Sequence, residues 1–140
     1  MTGIANDPAV KQCIDDCLQC RTICLAMAMG HCLEQGGAHA EREHLSLMLN
    51  CAEMCGTAGH FMLAESTLHA EVCALCAKVC GACAQSCRQL GGMEDCVDAC
   101  ERCAKSCARV AGVDGPPTHG TDRLPTTGVS GGPPRQGAYG

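Results

Sequence analysis

The sequence predicts an all-α fold, an antiparallel up-down-up-down bundle of four helices with a cysteine-lined core. Three observations carry this. Sixteen cysteines recur at steps of three and four residues, the rhythm of one face of a helix. Large aromatic side chains are nearly absent, with one Phe, one Tyr and no Trp, so an ordinary interlocked core cannot form. Glycine pairs and proline cut the cysteine-bearing stretch into segments of helical length.

The first helix is expected from about Pro8 to Glu34. Asp7 is its N-cap and Pro8 takes the first helical position. Its inward row is Cys13, Cys17, Cys20 and Cys24. Cys32 follows Cys24 by eight residues, which leaves it ~80° off the row in an ideal helix. His31 falls on the row instead, and a local bulge near Gly30 would bring Cys32 back inward. Gly36-Gly37 ends the segment.

The second helix is expected from about Ala38 to Ala64, with His44, Met48, Cys51, Cys55 and Met62 facing inward. Ser66 is a capping candidate in the turn that follows. The third, about Thr67 to Leu90, carries His69 and the row Cys73, Cys76, Cys80, Cys83, Cys87. Gly91-Gly92 ends it. The fourth, about Met93 to Val110, carries Cys96, Cys100, Cys103 and Cys107. Residues 1–111 thus form one domain. Residues 112–140 are rich in Gly, Pro and Thr and are expected to be disordered. Leucines and valines beside the rows, such as Leu18, Leu25, Leu49 and Leu75, suit helix flanks or a subunit interface.

Composition narrows the function. The net charge of −5 leaves no broad basic surface for nucleic acid or anionic lipid. No run of 18 apolar residues suggests a membrane span. The first residues lack a basic stretch followed by an apolar one, so a reducing cytosol is the expected setting. There the cysteines stay thiols, and when protonated they act as small hydrophobes. The metal-free chain is therefore expected to be helical already.

Thiols three and four apart on a helix stand about 5–6 Å from one another at Cβ, and each row faces the others. Such a surface suits soft ions. Zinc prefers a closed tetrahedron, usually of two Cys pairs from separate loops. Continuous rows on rigid helices suit Cu(I), which takes two or three sulfurs and shares them. Charge agrees, because no Lys or Arg lies on the predicted rows and one monovalent ion per thiolate is neutral. A zinc or mixed-metal metallothionein-like buffer is the alternative. A disulfide scaffold fits cysteines on loops better than cysteines on helix faces. A thiol oxidoreductase needs one exposed, low-pKa pair, whereas these cysteines are spread evenly. No base, nucleophile or open metal position stands out, so no enzymatic activity is expected.

Met27, His31, His44, Met48 and Met93, with Cys32, gather at one end of such a bundle, and His69 and Met62 at the other. The first group forms an expected entrance of weaker ligands, with His69 and Met62 as auxiliary ligands. His39 and His60 are expected at the surface.

The segment from Val72 to Cys83, VCALCAKVCGAC, with the row at Cys13–Cys24 and the row at Cys96–Cys107, resembles the Csp family of bacterial four-helix-bundle copper storage proteins. The resemblance covers about Pro8 to Ala111 and matches the cytosolic branch. It implies a core of cysteines that binds many Cu(I) ions, a homotetramer, and exchange with copper ions or a copper chaperone. Met27, His44 and Met93 stand where cytosolic members often have further Cys, and His69 where a Met can stand. The implied result is a smaller thiol load and a softer mouth.

Overall fold

The computed structural model describes residues 3–112, so the expected tail lies outside the described residues except for Gly112. A 3-10 turn at Ile4–Asn6 leads into four long helices: α1 (Pro8–Met27), α2 (Arg42–Leu63), α3 (His69–Leu90) and α4 (Glu94–Ala111). α1 packs on α2 and α4, and α3 packs on α2 and α4. Each helix meets its sequence neighbours and the ring closes between α1 and α4, the arrangement expected of an up-down-up-down bundle.

The helix starts follow local chemistry. The Asp7 carboxylate accepts from the backbone N–H groups of Ala9 at 2.8 Å and Val10 at 3.4 Å, satisfying donors that the first turn leaves orphaned. Ser66 Oγ accepts from the N–H of Leu68 at 3.0 Å, just ahead of α3. Gly91 ends α3 with φ 80°, a left-handed conformation that side chains rarely adopt.

α1 does not end at Met27. The chain continues as a π turn over Ala28–Cys32 and one α turn over Leu33–Gln35. A π turn takes up about one extra residue. It therefore absorbs the eight-residue step, and Cys32 returns to the axis fully buried. The same shift puts Ala28, not Met27, in the buried position, and Met27 is only half-buried. The second helix starts later than its sequence suggests. Gly37–Ala40 form a 3-10 turn, and Glu41 is extended at ψ 151°, so α2 begins at Arg42.

The core is a column of sulfur flanked by alanine. All sixteen cysteines are buried, with Met48, Met62 and Met93 at the ends and Ala52, Ala58, Ala77, Ala84, Ala99, Ala104 and Ala108 at the flanks. Small flanks let the helices approach. At Gly59, an added Cβ would lie 3.2 Å from Leu18 Cδ2. Outside the column, the buried carboxylate of Asp16 accepts from Gln12 Nε2 at 3.0 Å and from the Ser106 hydroxyl. This pair ties α1 to α4.

By length and composition α3 would also pass as a membrane-crossing helix. Its cysteines, which make it apolar, are turned onto the other three helices.

Replacing the cap in Asp7→Ala is expected to lower the stability of the metal-free bundle by about 1 kcal/mol. A urea midpoint indistinguishable from that of the parent chain would show that the cap does not secure α1.

Candidate metal centre

The four rows meet along the axis because each occupies the inward face of its helix. Sulfur–sulfur separations between helices are short. Cys24 lies 3.4 Å from both Cys96 and Cys100, Cys55 lies 3.5 Å from Cys80, and Cys17 lies 3.5 Å from Cys103 and Cys107. Four sets of four sulfurs lie within 4.8 Å of one another: Cys17, Cys76, Cys103, Cys107; Cys20, Cys24, Cys51, Cys100; Cys20, Cys55, Cys80, Cys103; and Cys24, Cys83, Cys96, Cys100. Cys13, Cys73 and Cys107 make a set of three. Cys20, Cys24, Cys100, Cys103 and Cys107 each belong to two sets. The centre is thus one connected ligand surface, and any of these sets could hold a soft ion.

Cys32 and Cys87 stand outside these sets, both at the end where α1 and α3 finish. Their partners include other donors. Cys87 lies 3.4 Å from Met48 Sδ and 3.6 Å from Cys96. The same thioether lies 3.6 Å from Cys83 and 3.7 Å from Cys96. Cys32 Sγ lies 3.5 Å from His44 Nε2, and His44 Nδ1 lies 2.8 Å from Ser86 Oγ. Met93 is buried beside them and lines a cleft of about 140 Å³ that reaches Cys87. A groove of about 500 Å³ between α2 and α3 reaches His44.

The opposite end differs. Met62 is buried, whereas His69 is half-buried and its Nδ1–H donates to the Ser66 carbonyl at 2.9 Å. The depression beside it, about 640 Å³, is larger but has no cysteine in its lining.

The row cysteines, with His44, Met48, Met62 and Met93, are buried as their helical phase predicts, His31 and His69 are half-buried, and Met27 and His39 depart from expectation. Met27 stands off the axis for the reason given above. His39, expected at the surface, is half-buried and joins the rim, its ring centroid 5.3 Å from His31 and 6.3 Å from His44. A helical wheel over 38–64 cannot find it, because it sits on a 3-10 turn and not on α2. Its position near Gly36-Gly37 was the signal available.

No lysine or arginine is buried among the described residues. An anionic thiolate in this column would lack a countercharge. Cys73 is pushed up to about 12: a hydrogen bond with Cys107 pulls it down, but one with Cys13 and burial outweigh it. Burial, then the neighbouring Cys96 and Cys83, also raises Cys32. Within the column, thiols that receive several bonds move the other way, as Cys17 does beside Cys103 and Cys107, so the protons belong to the network. Burial, reinforced by His39, lowers His44 and keeps it neutral. A neutral imidazole is the ligand form.

Comparisons with known proteins agree with this geometry. The family model described as copper storage protein matches residues 6–112. A crystal structure of the Nmul_A1745 protein from Nitrosospira multiformis is 51% identical, with a TM-score of 0.75, covering 76% of this chain and 98% of that one. The uncharacterized cysteine-rich protein YhjQ of Bacillus subtilis is 36% identical over 67 residues, which span 48% of this chain and 61% of that protein.

Raised thiols set a direction for stability against pH. Cys73 keeps its proton in the folded state from its ordinary 9.0 up to about 12, whereas the unfolded chain releases it. Its contribution is complete below pH 9 and lost as pH rises towards 12. The urea midpoint of the reduced, metal-free protein is therefore expected to fall over that interval, and a midpoint constant from pH 9 to 12 would contradict the burial argument.

Proposed function

The chain belongs to the copper storage protein family, and from that premise we propose that it is a cytosolic sink that loads many Cu(I) ions into its sulfur column and lowers free copper. One observation carries the reading: every cysteine except Cys32 and Cys87 belongs to a set of sulfurs close enough to share an ion, and the sets overlap. Cu(I) accepts two or three thiolates and tolerates shared ones. As each ion enters, a thiol proton leaves, and one positive charge replaces another. The column then fills without accumulating net charge.

Zinc is the second reading, because four of the sets contain four sulfurs. Sharing weighs against it. Four closed zinc sites would each need their own four ligands, but Cys20, Cys24, Cys100 and Cys103 are each claimed twice. A zinc ion with four thiolates also carries net charge −2 in a column without buried cations.

Entry is assigned to the end that holds Cys32, His44, Met48 and Met93. Imidazole and thioether hold Cu(I) less tightly than thiolate does, so an ion arriving there moves inward by ligand exchange. The clefts at that end open onto Cys87 and His44, which supports the assignment. Exposed Leu18, Leu25, Leu49 and Leu75 supply apolar surface for a homotetramer. A copper chaperone is the proposed donor or acceptor, and no catalytic step is assigned.

Anaerobic titration of the reduced protein with Cu(I), in competition with a chelator, is expected to reach a plateau near or above sixteen ions, the cysteine count. A plateau near four would count against storage. His44→Ala or Met93→Ala is expected to slow loading with capacity nearly kept, as followed by stopped-flow. Unchanged loading rates in both variants would remove the entrance assignment.

A further inference from the structure

The shared sulfur sets leave Cys87 out, yet it has close neighbours of its own. Its Sγ lies 3.4 Å from Met48 Sδ and 3.6 Å from Cys96 Sγ, and Met48 Sδ lies 3.7 Å from Cys96 Sγ. Three soft donors therefore converge in one compact triangle. Among the clefts described above, only the one of about 140 Å³ beside Met93 has a cysteine in its lining, and that cysteine is Cys87. Glu94 and Asp98 line the same cleft. Carboxylate oxygens suit Cu(II) better than Cu(I), and sulfur suits Cu(I).

Cys87 and Cys96 are also the sulfur pair best placed to form a bond. A disulfide holds its sulfurs at about 2.03–2.05 Å, so these two must close by roughly 1.5 Å. Cys87 stands in the last turn of α3 and Cys96 in the first turn of α4. Gly91 and Gly92 join the two helices with φ 80° and 74°, and helix ends open more readily than helix centres. Cys55 and Cys80 are as close, at 3.5 Å, but both sit mid-helix, where closure would drag packed turns together. Cys13 and Cys107 lie 3.5 Å apart at the opposite end, where the depression has no cysteine in its lining.

We propose that Cys87 and Cys96 form a redox pair that converts Cu(II) to Cu(I) at the entrance. Each Cu(II) accepts one electron and a disulfide releases two, so two ions are reduced per pair. The first ion takes an electron from the Cys87 sulfur. The Cys96 sulfur traps the resulting radical as a two-sulfur radical anion, whose extra electron reduces the second ion. Both S–H bonds break, one S–S bond forms, and two protons leave to solvent. The Cu(I) formed there keeps the Met48 thioether and passes to Cys83, 3.6 Å from that sulfur and a member of the next set. The activity rests on the copper reading for its substrate.

The test mixes reduced, metal-free full chain anaerobically with two equivalents of Cu(II). The Cu(II) signal in freeze-quenched EPR spectra is expected to vanish in a rapid phase. Acid-quenched, alkylated samples are expected to have lost two thiols per two Cu(II), with the new disulfide mapped by peptide mass spectrometry to Cys87 and Cys96. A persistent Cu(II) signal, or a disulfide mapped to another pair, overturns the proposal. Cys96→Ser is expected to lose the rapid phase, with far-UV circular dichroism confirming that the helices are kept. A rapid phase unchanged in that variant overturns it too. These readouts do not depend on the Cu(I) plateau that tests storage, so the two readings fail separately.

Discussion

The structure depends on excluding cations from its axis. Every Lys and Arg among the described residues lies on the outside, so the column of thiols must be neutralised by something that enters it. Protons do this in the metal-free protein, which is why buried thiols such as Cys73 and Cys32 hold theirs more tightly. The same lack of countercharge makes the column hospitable to monovalent soft ions and inhospitable to tetrathiolate zinc. Fold and proposed cargo thus answer to one constraint. The thiols pack as small hydrophobes when protonated, and they become ligands when the proton is exchanged.

That dual use explains the unusual composition. A bundle normally fills its axis with leucine, and each leucine excludes a ligand. Cysteine is small, so the helices must come closer to bury it. Alanine and glycine on the flanks, with Gly59 against Leu18 as the clearest instance, allow that approach. The displaced leucines lie outside, several of them exposed. Asp16 and Ser106 add a polar tie between α1 and α4 that sulfur packing alone would not supply.

Most of this was legible in the sequence because cysteine marks the inward face directly. The rows at Cys13–Cys24, Cys73–Cys87 and Cys96–Cys107 keep a strict helical phase, and helix number, direction and core follow from it. The Asp7 cap and the stop at Gly91 follow from local chemistry. Legibility ended where the phase broke. The eight-residue step to Cys32 signals a bulge, but where the helix places the extra residue depends on packing against α2. That choice decided that Ala28 and not Met27 would be buried. His39 was missed for a related reason: it lies in a 3-10 turn, where no wheel predicts direction, and tertiary packing brings it to His31. Metal preference is less legible still, because it depends on how sulfurs from different helices are shared.

The shared sulfurs carry one more consequence. Cys20 and Cys103 lie in one set of four, and each also lies in a second set. An ion that claims Cys20 alters the charge and orientation of a ligand that its neighbour must use. Under the proposed loading, occupied positions along the axis are therefore correlated, like adjacent sites on a short lattice, and filling resembles growth of an ordered phase more than independent binding. A partly loaded chain is then better described by the length of its filled segment than by an average occupancy.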